Sequence, residues 1–165
     1  MEAFNERQSY REYTGEKLDN QTLSNLLWSA YGFNRADKRV VPSSQNRQEI
    51  DLYVMFDNGF YFYDAMVNTL VLKEKGDFRE TLGQPNITDN AALTLIYVAN
   101  IDKASNREAA YIDTGFSVQN VYLFAASSGL GSVARGSFKK AELKNVMKLT
   151  ENQEITLVQP VGILK

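Results

Sequence analysis

Ile50-Asp51-Leu52-Tyr53-Val54-Met55-Phe56-Asp57-Asn58-Gly59-Phe60-Tyr61-Phe62-Tyr63 is the stretch that decides the fold class. Ile50, Leu52, Val54 and Phe56 alternate onto one face, as in a strand with one side on a core. Asp57-Asn58-Gly59 is a strong hairpin signal, because Asn and Gly accept the positive φ that a tight turn demands. Phe60 to Tyr63 then returns as the partner strand, its rings placed for cross-strand contacts. Helical periods flank this hairpin. Before it, Leu23, Leu26, Leu27, Ala30 and Tyr31 recur at three- and four-residue spacing, with Asp19 or Asn20 as cap and Gly32 as stop. Asn34 to Arg39 and Pro42 to Gln48 read as loops. After it, Ala65 to Leu72 predicts a short helix, and 73–90 is loop-rich.

Leu93 to Val98 is a continuous apolar run of strand length, which predicts a strand buried on both faces. Ile112 to Ser128 is the longest helix, stopped by Gly129. A brief strand near Ser132 to Arg135, a helix marked by Leu143, Val146 and Met147, and a strand over Glu154 to Val161 complete the chain. This order predicts an α+β fold, a mixed central sheet flanked by helices, in one domain over residues 1–165.

Composition narrows the chemistry. Basic and acidic residues nearly cancel, 18 against 20, with no basic block to follow a nucleic-acid backbone. No apolar run is long enough to span a membrane, and Met1 to Asn5 is unlike a secretory leader. The expectation is a cytoplasmic protein with neither a nucleic-acid nor a membrane partner. There is no Cys and no His. That excludes thiolate nucleophiles, disulfides, Cys-ligated metals, the Ser-His-Asp triad and an imidazole base. No metal site is expected among the carboxylates, whose spacing matches no cation loop. An enzyme of this composition must use carboxylates, Lys, Tyr, a hard cation or a borrowed cofactor, and the cofactor option gains most.

Two polar clusters could hold one. In Arg7-Gln8-Ser9-Tyr10-Arg11, two guanidinium groups and a hydroxyl occupy alternate positions, and in an extended segment they point the same way. That set suits a phosphate dianion and polyol oxygens, though taken alone such a cluster is more often a solvated basic face. Pro42-Ser43-Ser44-Gln45-Asn46-Arg47-Gln48 gathers hydroxyls and amides able both to donate and to accept, as an isoalloxazine edge requires. Gly129-Leu130-Gly131-Ser132-Val133-Ala134 has the spacing of a dinucleotide fingerprint but the wrong context, with a helix before it and a strand after. Asp113, Thr114 and Ser117 read as solvated or capping groups of the long helix, and Gln119 and Asn120 as groups that could meet a partner subunit.

In order, Arg7-x-Ser9-x-Arg11, the run Leu26 to Arg35, the run Pro42 to Gln48, the run Asp113 to Leu123 followed by Gly129-Leu130-Gly131, and Gln159-Pro160-Val161-Gly162 resemble the nitroreductase family. The likeness covers about Glu6 to Leu164 and is closest to a small branch related to azoline-oxidising dehydrogenases. It implies an interlocked homodimer with FMN at the subunit interface. Arg7, Ser9 and Arg11 would contact the phosphate and ribityl chain. Ser43, Ser44 and Asn46 would reach the same flavin from the other subunit, with Pro42 and Gln48 alongside. Val133, Ala134, Arg135 and Gly136 would pass the ring and offer a backbone N–H to flavin N5. The implied reaction is ping-pong: NAD(P)H, a transient donor, delivers hydride to N5, and two electrons pass to a nitroaromatic, quinone or similar acceptor. The flavin would carry the chemistry, with no catalytic side chain. The alternatives are a flavin-dependent dehydrogenase of a peptide azoline and a flavin-storing protein without turnover. Two departures stand out. The basic pair that often follows the closing strand is missing, so Lys165, Arg39 or Arg135 would substitute. Arg135 also stands where some relatives are acidic, a cation suited to reduced flavin and acidic substrates.

Overall fold

The computed structural model describes residues 1–165. Ile50–Phe56 forms β3 and Gly59–Asp64 forms β4, joined by the Asp57-Asn58 turn. Before this hairpin come α1 (Glu2–Glu6), α2 (Asn20–Tyr31) and a small ribbon of β1 (Phe33–Arg35) and β2 (Lys38–Arg39). After it come β5 (Thr69–Lys75), α3 (Pro85–Thr88), β6 (Leu93–Asn100), α4 (Arg107–Ser127), β7 (Leu130–Ser132), α5 (Lys140–Val146) and β8 (Gln153–Ile163).

Asp19 caps α2 as expected, accepting from the backbone N–H groups of Gln21 and Thr22 at 2.9 Å each. The helix needs such a partner because its first N–H groups have none of their own. Asn106 does the same for α4, accepting from Ala109 at 2.8 Å. That cap starts the helix five residues before Ile112, where the apolar pattern would begin it.

Six strands lie in the order β5-β4-β3-β6-β8-β7. Every neighbouring pair is antiparallel, not mixed as expected. The reason is topological. The crossover β6-α4-β7 does set β6 and β7 parallel, but β8 occupies the slot between them and opposes both. Ala65 to Leu72 is also corrected. It makes a turn, with Asn68 at φ 49°, and then enters β5, which pairs with β4 from Asp64↔Thr69 outward. Asn34 to Arg39, expected as loop, contains the β1–β2 ribbon.

The sheet is covered on both faces, which explains the uninterrupted apolar run of β6. Ile50, Leu52, Val54, Leu95 and Tyr97 pack with Leu26, Leu27, Val118 and Val121 of α2 and α4. Met55, Ile96, Val98, Ile155 and Val158 pack oppositely against Leu82, Leu143 and Met147. Gln159 of β8 joins sheet to helix, accepting from the Tyr97 hydroxyl at 2.6 Å and donating from Nε2 to the Val118 carbonyl of α4 at 3.2 Å. None of the helices is long and apolar enough to cross a membrane.

The polar groups of α4 are not solvated as expected. Asp113, Thr114 and Ser117 are buried. Ser117 donates to the Ala30 carbonyl at 2.6 Å, and Thr114 donates to the Ala110 carbonyl at 2.8 Å while lying 3.0 Å from Thr156 Oγ1. Asn120 donates to the Ser29 carbonyl at 3.0 Å, within its own chain. The outward side of α4 carries Tyr111, Ile112 and Phe116, all exposed. The central helix thus buries polar groups beside Ala110, Val118, Val121 and Ala125, and leaves three large apolar side chains exposed.

Candidate functional site

Gly131 of β7 lies opposite Gly162 of β8. With no side chain at either position, the sheet offers a trough, and Tyr10 and Tyr13 of the N-terminal segment lie in it. A Cβ built on Gly162 would come within 2.9–3.0 Å of Tyr13 side-chain atoms, and one on Gly131 within 2.8 Å of Tyr10 Cβ. The backbone fastens the same segment. Tyr10 N–H donates to the Ser132 carbonyl at 3.0 Å, and Thr14 N–H to the Ile163 carbonyl at 3.0 Å. Tyr13 is fully buried and donates to the Tyr10 carbonyl at 2.7 Å. Burial pushes its hydroxyl pKa well above the ordinary tyrosine value, so it remains a donor.

Fixed in this way, Arg7, Ser9 and Arg11 meet one residue that the sequence reading did not single out. Tyr122, near the C-terminal end of α4, has its ring 5.2 Å from the Arg7 guanidinium carbon, a cation–π distance. Its hydroxyl lies 3.2 Å from Ser9 Oγ and accepts the Ala134 N–H at 2.7 Å. Tyr122 therefore joins the N-terminal cluster to the 133–136 segment. No sequence signal distinguished it among nine tyrosines, because its partners lie 113 and 12 residues away. Arg11 makes a single contact of 3.4 Å to the Ser9 carbonyl. Neither Arg7 nor Arg11 is in an ion pair.

Along 133–136, the N–H groups of Val133, Ala134 and Arg135 are taken by the Pro160 carbonyl, Tyr122 Oη and the Val158 carbonyl. Gly136 N–H has no acceptor in the chain and is the one free donor. The Arg135 side chain turns into the protein. It is 6% exposed, and its Nη2 donates to the carbonyls of Leu82, Gly83 and Ser137 at 2.8–3.3 Å. Its Nε and Nη1 have no partner. Burial lowers its pKa from the usual arginine value.

The Pro42–Gln48 loop is separate from this group. Ser44 N–H donates to Asp113 Oδ2 at 2.7 Å, and Ser44 Oγ lies 2.9 Å from Ser105 Oγ. Ser43 Oγ accepts the Gln48 N–H at 3.0 Å. Asn46 and Gln48 both donate to the Asp37 carbonyl, at 3.2 and 2.7 Å. Gln45, Asn46 and Gln48 have φ of 53°, 55° and 50°. Left-handed backbone costs about 1 kcal/mol or more per non-glycine residue, and such strain gathers at ligand sites. Asp113 and Tyr122 are nine residues apart, roughly 14 Å along α4. One chain thus presents two polar clusters, set apart along its central helix.

Of the expected substitutes for a C-terminal basic pair, Arg39 is held between the rings of Tyr31 and Phe33, its guanidinium carbon 3.9 and 4.3 Å from their centroids. Lys165 is exposed beside Leu164, which bridges to Tyr13. A cavity of about 460 Å³ lies elsewhere, among Asp77, Arg79, Glu80 and Lys139. Arg79 is paired with Asp77 at 2.6 Å, and no expected site residue lines that cavity.

Comparison with known proteins gives one answer. The model of the nitroreductase family matches residues 5–163. A protein of Methanocaldococcus jannaschii is 30% identical over 94% of this chain and 86% of its own. A solved structure from Ralstonia eutropha JMP134 is 32% identical, with a TM-score of 0.89 over 99% of this chain and 82% of that one. Both carry the name "putative nitroreductase". The Escherichia coli microcin synthetase complex, solved with a truncated pro-peptide, includes a chain of the same fold. Its TM-score is 0.82 at 17% identity, over 100% of this chain and 73% of that one.

Proposed function

The chain belongs to the nitroreductase family, and from that premise we propose an FMN-dependent oxidoreductase that moves electrons from NAD(P)H to a small-molecule acceptor such as a nitroaromatic or quinone. The coarser statement, a flavin-dependent oxidoreductase, comes with the family. The observation that carries the finer reading is the pair Arg7 and Arg11, without carboxylate partners, beside Ser9 on a segment fixed by Tyr10 and Tyr13. Two unpaired guanidinium groups and a hydroxyl fit a phosphate dianion. When bound, FMN supplies hydride chemistry that needs no His or Cys.

The chain's own groups position and exclude. Arg7, Ser9 and Arg11 take the phosphate and ribityl oxygens. Gly136 offers its free N–H to the ring, while Val133, Ala134 and Arg135 form the wall behind it. Pro42, Ser43, Ser44, Asn46 and Gln48 complete the site from the second subunit of an interlocked homodimer. Two features support that dimer: the two clusters lie roughly 14 Å apart along α4, and Tyr111, Ile112 and Phe116 give that helix an apolar outward side. Residues 1–165 serve as the single flavin-binding domain.

The purified protein should be yellow, its visible flavin band bleached by NADH or NADPH and restored by a nitroaromatic or quinone. A colourless protein that cannot be reconstituted with FMN overturns the reading. Tyr122→Phe should raise the FMN Kd about tenfold, because the Ala134 N–H and Ser9 lose their shared partner. Flavin titration of folded Tyr122→Phe checks this; an unchanged Kd removes Tyr122 from the site.

A further inference from the structure

We propose that Glu49 and Asp113 share one proton beneath the Pro42–Gln48 loop and, through it, hold that loop in its ligand-ready conformation as positioning residues. The inference deepens the flavin reading, on which its cofactor measurement rests. Glu49 immediately follows the loop and is 0% exposed, and neither of its carboxyl oxygens has a hydrogen-bond donor from the rest of the chain. An ionised carboxylate in that position would be a buried charge without compensation. Asp113 is also buried, and its Oδ2 accepts the Ser44 N–H at 2.7 Å. Neither residue is in an ion pair. Asp113 already accepts the Ser44 N–H, whereas no donor holds a charge on Glu49 and Lys103 spends its ammonium on the Gln48 carbonyl, so Glu49 keeps a proton and donates it to Asp113. Burial, then the hydrogen bond and charge of Asp113, push the Glu49 pKa up from the usual carboxylate range, against the opposing pull of its own backbone N–H and of Lys103. Glu49 is therefore the donor and Asp113 the acceptor.

The titratable groups around the pair are few. Lys103 faces it from the segment before α4, its Nζ donating to the Gln48 carbonyl at 2.8 Å. Tyr31 faces it from α2, its hydroxyl accepting the Ile50 N–H at 3.2 Å. With the proton in place, Asp113 holds Ser44 while Glu49 anchors the far end, where its carbonyl accepts the Asn100 N–H at 2.9 Å. The strained residues Gln45, Asn46 and Gln48 lie between these anchors. Loss of the proton sets two negative charges against each other at the base of the loop. Because the folded pKa is raised, the stabilisation is present at low pH and is lost as pH rises through that value.

The test titrates FMN into the apoprotein from about pH 5 to pH 9, for the wild type, Glu49→Gln and Asp113→Asn. The amide of Glu49→Gln donates at every pH, and that of Asp113→Asn can donate to an ionised Glu49. The wild-type Kd should rise relative to both variants by up to about tenfold per pH unit once Glu49 ionises. Taking the ratio cancels the titration of the phosphate itself. Superimposed wild-type and variant curves overturn the proposal. Infrared spectra of the apoprotein provide a readout independent of flavin. A protonated-carboxyl band should be present in the wild type, fade as pH rises, and be missing from Glu49→Gln. The same band in both proteins, or in neither, overturns the shared proton. The expected band together with no FMN binding at any pH supports the proton pair and defeats the flavin reading.

Discussion

Arg7→Ala combined with Arg11→Ala should raise the Kd for FMN at least about 100-fold and yield a folded but largely colourless protein. Each guanidinium contact to a phosphate is charge-assisted, at about 1.5–3 kcal/mol, and about 1.4 kcal/mol is tenfold in affinity. Two contacts therefore exceed two decades even at the low end of that range. The fold should survive because the chain asks little of either side chain. Arg11 makes one long contact to the Ser9 carbonyl, Arg7 lies over the Tyr122 ring, and neither is in an ion pair. The checks are flavin retention through gel filtration, fluorescence titration with FMN, and thermal melting of the apoprotein. An unchanged Kd with an unchanged melting curve would remove the phosphate from this cluster and leave the family assignment intact.

That double substitution tests a feature legible in the sequence only through its company. A lone Arg-x-Ser-x-Arg is ordinarily a solvated face. What the structure adds is the seating of Tyr10 and Tyr13 against Gly131 and Gly162, contacts between the two ends of the chain that fix the segment carrying it. The local signals were sufficient for elements with local causes. Alternation and the Asp57-Asn58-Gly59 signal specify β3 and β4, a side-chain cap starts α2, and an unbroken apolar run becomes a strand covered on both faces. Elements whose cause is distant carry no such local signal. β5 is an edge strand with mostly exposed residues, and its pairing with β4 rather than its own pattern makes it a strand. The polar residues of α4 resemble a wet face because their partners, Ala30, Thr156 and Ser44, come from three other segments.

Gly162→Val should undock the N-terminal segment and, without touching a ligand, weaken FMN binding at least about tenfold. The added Cβ would lie 2.9 Å from Tyr13 Cγ and 3.0 Å from Tyr13 Cβ and Cδ1. Rotation about χ1 can move Cγ but not Cβ, so no rotamer of Tyr13 relieves the 3.0 Å contact to Cβ and the chain itself must shift. Overpacking of this kind costs about 1–3 kcal/mol, similar to the roughly 1.5–3 kcal/mol that burying a large apolar side chain contributes. Releasing Tyr13 is thus competitive with enduring the strain. Its release would break the Tyr13–Leu164 bridge and the Thr14 N–H bond to Ile163, and free the segment that carries Arg7, Ser9 and Arg11. Hydrogen exchange at Tyr10 to Thr14 and FMN titration should report the same event. Adding Tyr13→Ala to Gly162→Val should cost less stability than Tyr13→Ala costs alone, since the contacts to Cγ and Cδ1 disappear with the ring. Retained protection and tight FMN binding in Gly162→Val would show that the trough is not what presents the cluster. Additive costs in the double variant would show that Tyr13 is not the residue displaced.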